Sequence, residues 1–359
     1  MGLRTSTKLL GATLGVAALV GASQLGLAYG LGILRLTRVL DVTARDEWTA
    51  QLGWVAWIAM IAAVAGAMAG RVHLPAGSGA GTRIAVALAA GLGAAVVVPL
   101  TMQPARTGQV AGVQPVFVIG VCAALGAVAG VFAAYAAVAR EVARWSFATV
   151  GIAIWVIAVA SAAPSLKPGD QLPAVRLGVV DADFLPAAVT DRTALFTMPA
   201  LALISGVVLG LRARRREFGT LPIALSGLAG PALLTAAYLV AGPGSGDGHF
   251  QSVPYWAAMT AAGAGVLGSV LAAVLRRGPA QPVEPSASSG NWEKPSLPRR
   301  RSGSDSAIAK AAAAPEAEPA PSPPTPSFDG FTPPQQQARG RHQEDKDNVA
   351  DWVSGLGNG

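Results

Sequence analysis

One cysteine, Cys122, and three histidines, His73, His249 and His342, are all the thiol and imidazole metal ligands in this chain. A lone cysteine excludes an internal disulfide and a cysteine-based zinc cluster. The histidines fall, on the topology argued below, on opposite sides of a membrane and in a terminal tail, so they cannot converge on one ion. Charge is scarce too: charged residues make up 13% of the chain, against about 25% in soluble domains. No Asp, Glu, Lys, Arg or His lies inside the long apolar stretches, where such groups mark proton relays, ion coupling and voltage sensing. No GxSxG nucleophile signature occurs, and the glycine-rich residues 77–82 lack the Gly-Lys-Ser/Thr ending of a phosphate loop. These absences nominate no catalytic, cofactor-binding or metal-binding residue, and the chain reads as non-enzymatic.

What fills the chain instead is apolar: hydrophobic residues make up 52% of it. A helix crossing a bilayer needs about 20 mostly apolar residues, and eight segments satisfy this: 9–34, 52–70, 84–102, 116–139, 147–163, 195–211, 221–241 and 255–275. The fold class expected is an all-α polytopic integral membrane protein. The first segment, preceded by Arg4 and Lys8, is too long for the core of a cleaved signal and reads as a retained span.

The segments repeat as a set of four. Residues 12–17 (ATLGVA) return at 148–153 (ATVGIA), and Gly66 and Gly70 followed by Arg71 return as Gly206 and Gly210 with Arg212. Gly81-Thr82 returns as Gly219-Thr220, and Pro115 with Phe117 returns as Pro254 with Trp256. The landmarks recur in order about 136–141 residues later. Val-Thr-x-Arg at 42–45 and 189–192 departs from that spacing. The expected organisation is a four-helix repeat over 1–140, a second over 141–277, and a tail over 278–359.

Basic residues mark alternate loops: Arg4 and Lys8, Arg71 and Arg83, Arg140 and Arg144, Arg212 to Arg216, Arg276 and Arg277. By the positive-inside rule these face the cytoplasm, which places both termini inside. The opposite loops carry Asp41, Asp46, Glu47, Asp170, Asp181, Asp183, Asp191 and Asp247. Four spans per half give both halves one orientation, a parallel repeat about the membrane normal. The formal net charge is +7, yet acidic residues outnumber basic ones in the tail. The excess therefore belongs to membrane topology, not to nucleic acid. Usage rich in Ala and Arg and poor in Lys points to a high-GC bacterium and its plasma membrane.

Three GxxxG pairs, Gly66 with Gly70, Gly126 with Gly130, and Gly206 with Gly210, allow close helix contact. Gly91, Gly93 and Pro99 interrupt the third span, and Gly227, Gly230 and Pro231 the seventh. Broken helices in matching positions of two halves point to a cavity, although the two prolines are out of register.

From residue 278 the chain turns to Pro, Ser, Ala, Gln and charge, a composition that cannot offset its own chain entropy and predicts disorder. Arg299, Arg300 and Arg301 beside Ser302 form an island suited to anionic lipid and sensitive to phosphorylation. Val349, Trp352, Val353 and Leu356 share one face of a helix amid Asp345, Asp347 and Asp351, so a cytoplasmic protein groove is the expected target. The reading is of an anchor with a cytoplasmic interaction tail, in envelope assembly or its regulation. The alternative is a carrier for a neutral or lipid-like substrate.

Overall fold

A backbone that crosses lipid must satisfy its hydrogen bonds internally, and the chain does so almost wholly with helices. The computed structural model describes residues 3–40, 45–75, 77–163, 174–180, 187–244 and 250–274, without the side chains of 3–5 and 187–191. The tail, with its arginine island and Trp352 face, lies outside the described residues, as do Asp41, Asp170, Asp181, Asp183, Asp247 and His249. In chain order the elements are α1 (Leu3–Gly30), β1 (Val39–Leu40), α2 (Arg45–Val72), α3 (Ala80–Ala94), α4 (Val97–Ala105), β2 (Gln109–Val110), α5 (Pro115–Ala139), α6 (Glu141–Ala162), α7 (Ala187–Arg215), α8 (Thr220–Ala224), α9 (Ala229–Ala241) and α10 (Ser252–Val274).

Seven helices are long and apolar enough to span a membrane, counting α3 and α4 together. The chain is a multi-pass membrane protein. Residues 221–241, expected as a span interrupted at Gly227, Gly230 and Pro231, form α8 and α9, and α9 alone has 13 residues. At about 1.5 Å per residue that is roughly 20 Å, short of a hydrocarbon core of about 30 Å.

The interruption has a local cause. Proline cannot donate to the residue four back, and Pro231 stands third in α9, as Pro99 stands third in α4. Each proline therefore sits in the first turn of the second piece of its broken segment. At the first break the Ala95 carbonyl that Pro99 leaves accepts the Val98 N–H at 3.0 Å. A threonine follows each proline in its helix: the Thr101 hydroxyl donates to Val97 O at 2.8 Å, and the Thr235 hydroxyl to Pro231 O at 3.1 Å and Ala258 O at 2.6 Å.

Helix α2 is the centre of the bundle. Its most apolar window is 78% buried, whereas the other spanning windows run from 28% to 50%. Apolar residues on every side fit that position. Asp46 and Glu47 in its first turn and Arg71 in its last complement the helix dipole. On α5, by contrast, Phe117, Val121, Leu125, Val128 and Phe132 form an exposed apolar stripe, a surface that only lipid or another apolar body covers without cost.

Two faces bound the bundle. One, the loop face, carries the short parallel pairing of Val39 with Gln109 and Leu40 with Val110. On the other, the arginine face, the Arg71 Nη1 group donates to Val138 O at 3.1 Å and the Arg214 Nη1 group to Ala272 O at 3.5 Å. There Arg212 also lies over the Trp145 ring, 4.6 Å from its centroid.

Candidate functional site

Small residues set the helix spacing. A methyl on Gly66 would lie 2.5 Å from Ala17 Cβ and 2.7 Å from Thr13 O, and one on Gly70 would strike the Thr13 hydroxyl. This pair thus faces α1. Gly126 and Gly130 face α2 at Ala56, Met60 and Ala63, while Gly206 and Gly210 face α10 at Gly265, Ser269 and Ala272. The interrupting glycines are equally enclosed: Gly91 by Val131, Gly93 by Leu14 O, Gly227 by Gly265 O, and Gly230 by Val150 and Ser146 O. Pro231 is buried near Gly265, and Pro99 is exposed.

None of those six lines the wide cleft on the α1 side of the bundle. That cleft, about 930 Å³, lies between α1, α2 and α6. Val20, Gln24 and Leu27 of α1 face Ala148, Ile152, Trp155 and Val159 of α6, above a floor of Ile61, Val64 and Met68 from α2. The α6 residues recur every three or four positions, so one side of that helix supplies the wall. One polar contact crosses the cleft, the Trp155 Nε1 group donating to Gln24 Oε1 at 3.0 Å. No ionisable side chain lines it. Among the described residues no group of three His, Cys, Asp or Glu could hold a metal. The cleft can hold apolar matter and offers no acid, base or nucleophile.

A second constellation occupies the loop face. The chain after α1 turns back through Gly32, at φ 67°, and buries Ile33, Leu34 and Leu36. Gln51 Oε1 accepts the Arg35 backbone N–H at 2.9 Å, and the Arg35 Nε group donates to Gly32 O at 2.8 Å. Burial, followed by the repulsion of Arg38, lowers the pKa of Arg35, with Glu47 opposing. A pocket of about 490 Å³ lies here, lined by Tyr29, Arg35, Thr37, Arg38 and Pro104 among others.

Residues 174–180 form the corresponding inward turn between α6 and α7. Val175, Leu177 and Val179 are buried, and Gly178, at φ 71°, packs against Ile154, Met198 and Leu234. The Trp54 indole donates to Val175 O at 2.9 Å and the Tyr238 hydroxyl to Leu177 O at 2.6 Å. Arg176 is buried; its Nη1 group donates to Phe250 O at 2.9 Å and its guanidinium lies 4.6 Å from the Phe250 ring centroid. Sequence reading passed over both turns, although Arg35-Leu36 and Arg176-Leu177 recur at the spacing of the other landmarks.

The chain matches no protein-family model, no curated protein and no solved structure.

Proposed function

We propose that this is a non-enzymatic bacterial plasma-membrane platform: two four-helix repeats, eight crossings and cytoplasmic termini, carrying residues 278–359 as an interaction tail. Several pairs of contacts support the repeat. Arg71 reaches the end of α5 as Arg214 reaches the end of α10. Gly93 abuts a carbonyl of α1 as Gly230 abuts one of α6, and the third segment of each half is broken at the same place relative to its proline. Counting α8 with α9 as one crossing gives the even number that returns the chain to its starting side. The density of basic residues on the arginine face supports its cytoplasmic assignment.

The observation that carries the platform reading is the filled centre. Trp54, Trp57, Ile58 and Met60 are fully buried on α2, and the glycines of both broken segments are occupied by neighbours. A bundle packed this way suits a support better than a conduit. Its test is crosslinking in the native membrane: the intact chain should capture a defined set of cytoplasmic proteins, and a chain ending at 277 should capture none while still inserting. An unchanged set would refute the reading.

A second reading, a carrier or holder of a neutral lipid-like substrate, is favoured by the α1–α2–α6 cleft. Its wall is almost entirely carbon, and Ile152 and Val156 are exposed. A photoactivatable acyl probe should then label the wall in native membranes, and Ile152→Trp should suppress that labelling. Labelling unaffected by Ile152→Trp would leave the cleft as a passive lipid contact.

A further inference from the structure

The two inward turns put an arginine in the same place and then treat it differently. Arg176 is sealed by the Phe250 carbonyl and ring, and the residue three further along is the buried Val179. Arg35 instead lines an open pocket of about 490 Å³, and the residue three further along is a second cation, the exposed Arg38. The Arg38 backbone N–H donates to Arg35 O at 3.3 Å, so one turn of chain carries both guanidinium groups. Tyr29 lines the same pocket, and its hydroxyl is buried without a hydrogen-bond partner. Glu47, the carboxylate acting on Arg35, lines a much smaller adjoining space that Arg35 and Arg38 also border, with Gln51 and Val175, and it does not line the larger pocket.

We propose that this pocket binds a phosphate-class anion, with Arg35 and Arg38 as its cationic wall. Two guanidiniums on one turn offer several donors in fixed planes, the geometry that recognises phosphate oxygens through charge-assisted bonds. Its position at the ends of spanning helices makes a lipid headgroup the favoured source. Gly32 and Pro104 place the pocket at the ends of α1 and α4, and Leu100, one turn before Pro104 on α4, is exposed, where an acyl chain would run beneath a headgroup. Free inorganic phosphate presents the same chemistry.

The test uses the full-length chain in a phosphate-free detergent, with thermal stabilisation as the readout. The probes are short-chain phosphatidylglycerol, the matching diacylglycerol and inorganic phosphate. Phosphatidylglycerol should stabilise the protein and diacylglycerol should not. Arg38→Gln, at an exposed position that leaves the turn intact, should weaken phosphatidylglycerol binding about tenfold, the loss expected for one charge-assisted contact. Arg106→Gln, which removes an exposed cation outside the pocket, should not. Stabilisation by inorganic phosphate that Arg38→Gln also weakens would assign the site to a soluble anion, and its absence would assign it to lipid. Equal binding by the wild type and Arg38→Gln, or equal stabilisation by diacylglycerol, would overturn the proposal.

Discussion

A methyl group added at Gly126 would stand 2.7 Å from the Ala56 carbonyl oxygen and 2.9 Å from Ala56 Cα. Those atoms are α2 backbone at the centre of the bundle and cannot turn aside as a side chain would. Gly126→Ala should therefore force α5 off α2 and cost about 1–3 kcal/mol, as overpacking does, read as a lower Tm in detergent. Gly15→Ala is the control: nothing lies within 4 Å of its added methyl, and alanine is the better helix former by about 1 kcal/mol. That variant should hold or raise Tm, and equal losses at the two sites would refute the packing argument. The small-residue pairs were readable in the sequence because close helix approach needs glycine, but their partners were not. Gly66 faces α1 whereas Gly206 faces α10, and a face is set by helix rotation, which a uniformly apolar segment does not encode. Arg35 and Arg176 were missed for a different reason: a cation in a loop reads as solvated surface unless its burial is known.

At the scale of elements, the turn at 174–180 is held by donors from three directions. The Trp54 indole caps Val175 O, the Tyr238 hydroxyl caps Leu177 O, and Thr193 Oγ1 donates to Val180 O at 3.1 Å. Trp54→Phe keeps most of the ring but leaves a buried carbonyl without its donor. The expected cost is about 1–3 kcal/mol. Because Trp54 also packs against Trp155, with centroids 5.6 Å apart, the loss should be accompanied by a change in Trp155 fluorescence. An unchanged Tm would mean that the turn is not tied to α2. Among the described residues, hydropathy located the seven long apolar helices in advance, since the bilayer imposes both length and apolar content. Hydropathy alone passes residues 221–241 as one span, because Pro231 and Gly227 are apolar enough for its window; the break into α8 and α9 was legible only from those glycines and the proline themselves. Nor could hydropathy foresee that α1 ends at Gly30, so that Leu34, counted in the first span, enters the bundle from a loop as Leu36, Val175 and Leu177 do.

The whole molecule raises the question of sides. Its two faces differ in chemistry: Arg71, Arg140, Arg144 and Arg212 to Arg216 gather at one, and the β1–β2 pairing with both inward turns gathers at the other. Helix ends fix which positions share a face, because α1 begins where α2 ends. Thr37 and His73 therefore report on opposite faces, and both are exposed. In a Cys122→Ala background, a membrane-impermeant thiol reagent should label Thr37→Cys in intact cells and His73→Cys only after permeabilisation. The native thiol is buried beside Val240 O, so its removal exchanges one small apolar side chain for another and should leave the bundle intact. A cysteine placed at Gly278, just beyond α10, should label with His73→Cys if the broken α8–α9 segment completes a crossing, and with Thr37→Cys if it does not. Thr37→Cys labelled only after permeabilisation would reverse the orientation. Gly278→Cys labelling alongside Thr37→Cys would reduce the crossings to an odd number and move the tail, with its arginine island and Trp352 face, away from the cytoplasmic partners proposed for it.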